Sequence, residues 1–114
     1  MECREDRVAV VILNWNGEHF LRDYLPSVVE HTDHVIADVI VADNGSTDGS
    51  VDLLRRDFPG VRLIEFSENY GFAEGYNRAI AEISQEYKYS VLLNSDVKVK
   101  DDWLTPLWRF MEDN

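Results

Sequence analysis

The sequence predicts an α/β fold: a mostly parallel sheet flanked by helices. Three observations carry that expectation. Four short apolar runs recur along 114 residues. Stretches with apolar residues at helical spacing separate them. The first run, Val8-Ala9-Val10-Val11-Ile12-Leu13, is apolar throughout rather than alternating, as a strand covered on both faces must be. Strands alternating with helices at this spacing imply crossover connections and parallel pairing.

Taken in order, the first strand ends at Asn14-Trp15-Asn16-Gly17. A helix is predicted over about residues 18–31, with Phe20, Leu21, Tyr24, Leu25 and Val28 apolar and a kink or restart at Pro26. The second strand, residues 39–42, ends at Asp43, and Asn44-Gly45-Ser46 turns the chain. Ser46 or Thr47 is placed to cap the next helix, with Asp48 in its first turn. Val51, Leu53, Leu54 and Phe58 are that helix's apolar positions, and Pro59-Gly60 stops it. The third strand covers residues 61–66, and Ser67-Glu68-Asn69-Tyr70-Gly71 leads into a helix opened by Phe72. Its face is Phe72, Tyr76, Ala79, Ile80 and Ile83. The fourth strand, residues 90–93, ends at Asn94-Ser95-Asp96. A closing helix is predicted over residues 101–111, with Asp101 or Asp102 near its cap.

Composition bounds the function. A 45% hydrophobic fraction is enough for one core, and 29% charged residues spread along the chain exclude a disordered protein. The single cysteine, Cys3, excludes an internal disulfide and argues against a thiolate zinc site. Eleven basic against 22 acidic residues leave a net charge of -11, which repels nucleic acid. An anionic ligand would need a divalent cation, helix N-termini or backbone N–H groups to bind. The apolar run at residues 8–13 is too short for a signal peptide or a membrane span, and Glu2, Glu5 and Asp6 oppose the former. A cytoplasmic location is expected, with peripheral membrane association left open. The last helix is followed by no further strand, so the chain reads as the N-terminal part of something longer, with sheet edges that leave self-association open.

In an open parallel sheet, ligands bind beyond the carboxyl ends of the strands. All four loops expected there are rich in Asn, Asp, Ser and Gly. One such loop is ordinary turn chemistry; four on one edge point to a polar crevice. Asp43 is either an acceptor for a ligand N–H or ribose hydroxyl, or a cap for the next helix. Asp48 reads as a favourable charge at a helix N-terminus. Asp96 can serve a hard cation that takes one or two protein oxygens, with Asn94 adding a neutral one. Asn77 lies near the start of the third helix and is expected to face the same rim, where Gly71 and Gly75 allow close backbone approach. Trp15 sits on the rim. His31 and His34, with Asp33, read as a solvated loop rather than a metal site. There is no nucleophile elbow, no P-loop, and no G-x-G-x-x-G after the first strand.

Taken together, residues 10–17, 41–50, 69–80 and 92–97 closely resemble the family 2 glycosyltransferases of the GT-A fold, in particular their rhamnosyltransferase-like branch. The resemblance runs from about Val8 to Trp108 and rests on four motifs in order. It implies that residues 1–114 form the N-terminal nucleotide-sugar-binding portion of such an enzyme, a Rossmann-like fold. It further implies a nucleobase contact at Asp43, a loop of Asn14, Asn16 and Gly17 flanking the nucleoside, and Asn77 close to the nucleotide. Ser46, Asn69, Gly71 and Asn94 complete the expected donor-binding set. Asn94-Ser95-Asp96 matches the DXD motif, with Asp96 holding Mg²⁺ or Mn²⁺ on the diphosphate.

The implied reaction is inverting transfer from a UDP-, dTDP- or GDP-sugar to a saccharide or lipid-linked acceptor hydroxyl. Two departures stand out. Asn94 replaces the first carboxylate of the motif, and Tyr76 occupies a position where many members carry Arg. The general base is expected beyond Asn114, so this chain alone should bind donor weakly and not turn over. The rival readings are a non-catalytic nucleotide-binding or interaction module of the same fold, and a nucleotidyltransferase or receiver-like domain.

Overall fold

The computed structural model describes residues 4–113; Cys3 and Asn114 lie outside them. The elements run β1 (Arg4–Asn14), α1 (Glu18–His31), β2 (Ala37–Asn44), α2 (Ser50–Asp57), β3 (Arg62–Phe66), α3 (Phe72–Ile83), β4 (Tyr87–Leu93) and α4 (Leu104–Asp113). The four strands form one sheet in the order β3-β2-β1-β4, and every pairing is parallel.

The apolar character of β1 follows from its central place. Val8, Val10 and Ile12 pack with Leu21, Leu25 and Val28 of α1, Leu53 and Leu54 of α2, and Leu104 of α4. Ala9 and Val11 face the other way, toward Tyr76, Ala79 and Ile83 of α3. Helices therefore cover both faces, three on one and α3 on the other. Alternate β1 residues must then all be apolar. The chain lays β2 and β3 on one side of β1, then returns over α3 to place β4 on the other. The β1–β4 junction is the topological switch point, where ligand crevices form in such sheets.

Four local expectations change. Helix α1 runs unbroken through Pro26, which is exposed, and the Ser27 hydroxyl donates to the Tyr24 carbonyl at 2.8 Å beside it. Neither Ser46 nor Thr47 caps helix α2: Gly49 holds the N-cap position, and Asp48 before it accepts the Ser50 N–H on Oδ1 at 3.0 Å. Ser46 is drawn away by Asp43 instead. Phe72 is 68% exposed rather than on the buried face, its edge against the Tyr76 ring. The closing helix begins at Leu104, with Asp102 accepting the Thr105 N–H at 3.1 Å. Among the described residues no helix is long and apolar enough to cross a membrane.

Candidate functional site

The parallel register sets Asn14, the last residue of β1, beside Asp43 near the end of β2. Both are buried. The Asn14 amide donates from Nδ2 to Asp43 Oδ1 at 3.0 Å and to Ser46 Oγ at 3.3 Å. Asp43 also accepts the Ser46 hydroxyl at 2.7 Å on Oδ1 and the Ser46 N–H at 2.9 Å on Oδ2. Asn16 extends the knot with φ at 48°, a left-handed conformation that Asn tolerates. Its N–H donates to Ser46 Oγ at 2.8 Å, and its Oδ1 accepts the N–H groups of Thr47 and Asp48. Gly17 is buried against this knot: a Cβ there would stand 2.5 Å from Asn14 Oδ1. That oxygen is buried without a hydrogen-bond donor among the described residues.

A second knot adjoins the first. Asn44, also buried, donates from Nδ2 to Asn69 Oδ1 and the Gly71 carbonyl, both at 3.1 Å, and accepts the Tyr70 N–H at 2.9 Å. Asn69 Oδ1 also accepts the Gly71 N–H at 2.7 Å, and Gly71 enters α3 at φ 83°. Gly45 lies between the knots at φ 76°, where a Cβ would meet the Glu68 backbone at 2.7 Å, so no side chain fits.

Beside the knots, Glu18 is tied to Asp48 and to Gly49. The Glu18 N–H donates to Asp48 Oδ2 at 3.1 Å, and the Gly49 N–H donates to Glu18 Oε1 at 3.1 Å. Burial pulls the Asp48 carboxyl upward, but hydrogen bonds from Ser50 and from the Glu18 backbone outweigh it and hold it below the usual value. A carboxyl lowered in the folded state stabilises above its unfolded pKa and loses that contribution as pH falls through the folded value. The Asp48→Asn variant should therefore melt below the parent at pH 7. The gap should close as pH drops below about 4, the ordinary Asp range. Thermal denaturation at both pH values measures this, and a pH-independent gap contradicts it.

The β4 tip differs in kind. Asn94 and Asp96 are exposed, and neither forms a hydrogen bond or ion pair with a described residue. Beyond them the chain is tethered over α1, where the Val99 N–H donates to Ser27 Oγ and Trp103 Nε1 to Thr32 Oγ1. Trp15 is 55% exposed on the rim. Asn77 is exposed on α3 and belongs to neither knot. Arg78 is committed elsewhere, paired with Glu74 and 3.8 Å above the Tyr70 ring. His31, Asp33 and His34 form no metal cluster, and none of three or more such ligands exists among the described residues.

The tertiary structure thus joins Asn14, Asn16, Gly17, Asp43 and Ser46 in one knot and Asn69 with Gly71 in the next. Asn94 and Asp96 stand on a separate tip of the same edge. Sequence reading passed over Asn44, which centres the second knot, and Glu18, which locks α1 to α2. It also missed Tyr76, whose hydroxyl bonds to both β1 and β4. An Asn immediately before a glycine at a strand end was the available signal for Asn44.

The family model described as Glycosyl transferase family 2 matches residues 9–114. The N-acetylglucosaminyl-diphospho-decaprenol L-rhamnosyltransferase of Mycobacterium tuberculosis is 32% identical over 80 residues, 70% of this chain and 26% of that protein. TuaG of Bacillus subtilis, named for teichuronic acid biosynthesis, is 29% identical over 91% of this chain and 41% of its own length. Among solved structures, S. aureus TarS superposes with a TM-score of 0.79 at 18% identity over 94% of this chain and 32% of that chain. The mannosyltransferase PcManGT from Pyrobaculum calidifontis, solved with GDP-Man and Mn²⁺, gives 0.71 at 25% identity, covering 89% of this chain and 33% of that chain. The chain spans about a quarter to two-fifths of the length of the curated relatives it matches.

Proposed function

The chain belongs to glycosyl transferase family 2, and on that premise we propose that residues 1–114 are the donor-binding portion of an enzyme that transfers a sugar from a nucleoside-diphospho-sugar to an acceptor hydroxyl. The observation that carries the reading is the gathering of four polar loops on the carboxyl edge of the sheet, around the switch point between β1 and β4. The knot of Asn14, Asn16, Asp43 and Ser46 forms the floor for the nucleoside. Its polar groups are largely engaged with one another, so its main work is to hold a fixed shape. A carboxylate offers about four acceptor positions. Asp43 uses three on Asn14 and Ser46, leaving one for a nucleobase N–H. Trp15 flanks the nucleoside from the rim, and the loop of Asn69 and Gly71, with Asn77, borders the nucleotide.

Asp96 fits a divalent cation, Mg²⁺ or Mn²⁺. Its exposed carboxylate is uncommitted, and among the described residues no three-carboxylate cage competes with the ligand for the ion. Such a site relies on the donor's phosphates and water for the rest of the shell, with Asn94 contributing a neutral oxygen or a hydrogen bond. The ion's chemistry is to neutralise charge on the departing nucleoside diphosphate. In the overall transfer, the acceptor oxygen bonds to the anomeric carbon with inversion, the bond from that carbon to the diphosphate breaks, and the acceptor's proton passes to a general base. The base and acceptor site are assigned to the length of the relatives that this chain does not span. Residues 1–114 alone are expected to bind donor without turning it over.

PcManGT, with its GDP-Man and Mn²⁺, supports the choice of ligand and ion. The decaprenol-linked acceptor in the mycobacterial relative's name supports a lipid-linked acceptor met at a membrane surface. Calorimetric titration with UDP, dTDP and GDP, each with and without Mn²⁺, tests the reading. One nucleotide should bind, and more tightly with Mn²⁺. Absence of heat from all three with Mn²⁺ present, on protein shown to be folded, overturns it.

A further inference from the structure

β1 and β4 stay in register as far as Ile12 opposite Leu93. At the end of that pairing a side chain joins the two strands as well. The Tyr76 hydroxyl accepts the Leu13 N–H at 3.4 Å and donates to the Leu93 carbonyl at 2.9 Å. Tyr76 is 4% exposed, and its ring is held edge-on by Phe72 at 5.0 Å. The adjacent Gly75 lets α3 come this close: a Cβ there would stand 3.0 Å from the Leu13 side chain. Burial pushes the phenol pKa up, so the hydroxyl keeps its proton and the bond that it donates. The two tied residues immediately precede Asn14 and Asn94. Among the described residues, no other side-chain hydrogen bond links the end of β4 to β1.

We propose that Tyr76 is a positioning residue whose hydroxyl sets the gap between the β1 tip, carrying Asn14 and Trp15, and the β4 tip, carrying Asn94 and Asp96. Its functional consequence rests on the donor-site reading above. A nucleoside diphosphate that meets an ion at Asp96 must reach both tips, and its affinity depends on their separation. A nucleoside monophosphate seated on the β1–β2 floor does not reach across, and its affinity is independent of the gap.

The test is Tyr76→Phe in the same chain, which removes one oxygen and keeps the ring. Amide hydrogen exchange at Leu13 should speed up by about fivefold or more, the effect of losing one net hydrogen bond. The Mn²⁺-dependent gain in affinity for whichever of UDP, dTDP or GDP binds should fall by a similar factor. Affinity for the matching monophosphate should stay within about twofold, since its contacts are untouched. Unchanged Leu13 exchange overturns the proposal. So does an equal loss of affinity for both nucleotides with a lowered melting temperature, which marks a merely structural role. If the parent chain binds none of the diphosphates, the donor reading fails, and Leu13 exchange alone then decides whether the clamp exists. If the variant does not fold, the parent decides: a Tyr76 hydroxyl proton in slow exchange, with a nuclear Overhauser contact to the Leu13 amide, supports the clamp, and a hydroxyl proton exchanging too fast with water to be seen overturns it.

Discussion

Asp43→Ala should lower the melting temperature by about 10 °C or more, the largest effect expected of any single change at the rim. The carboxylate is buried and accepts three hydrogen bonds, two from side chains and one from the backbone. Its removal takes from the Asn14 amide and the Ser46 N–H the acceptor that they share, in a site that is buried at Asn14 and half-buried at Ser46. Leaving buried donors unpaired costs about 3 kcal/mol for such a pair of groups. A domain of this size loses about 4 °C for each kcal/mol. Asp43→Asn should be milder but still destabilising, because an amide presents only one accepting atom to a site holding three donors. Thermal melts of the two variants against the parent provide the measurement. A melting point within about 2 °C for Asp43→Ala, under 1 kcal/mol on the same scale, would show that the knot does not hold the loops together.

Asp96→Ala should do the reverse. The side chain is exposed and bonds to no described residue, so stability should change by less than about 0.5 kcal/mol. The Mn²⁺-dependent part of nucleotide binding should vanish, a loss of about tenfold in affinity or 1.4 kcal/mol. Titration of the one nucleotide that binds, with and without Mn²⁺, reads the effect. A variant that keeps the full metal-dependent gain would refute the role assigned to Asp96. The two substitutions together separate scaffold from site: one should melt the protein, the other should leave it folded and blind to the metal.

The contrast between these carboxylates bears on how far residue types in a row can be interpreted. Asp43 and Asp96 each follow an apolar strand and look alike in the sequence. In the fold, β2 has neighbours on both sides and its tip lies beside Asn14, so Asp43 is enclosed and engaged. Among the described strands β4 pairs with β1 alone, and Asp96, three residues past its end, is exposed. The Asn-Gly-Ser run after β2 was legible as a turn. That Ser46 would serve Asp43 and Asn16 rather than cap α2 was not, because Asn16 lies 30 residues away along the chain. Tyr76 was legible as an apolar-face residue. Its second task, joining two strand tips through its hydroxyl, depends on where α3 crosses the sheet.

The amino-acid sequence alone determined the identity and order of the eight elements, the parallel sheet and the edge at which polar loops collect. Those properties follow from hydrophobic period and turn chemistry, which act over a few residues at a time. Only the tertiary structure decided which polar side chains satisfy one another and which remain for a ligand. Hydrogen-bonding groups from β1, β2, α3 and β4 meet through register and crossover, and a short-range pattern carries no information about which of them will face each other once water is excluded.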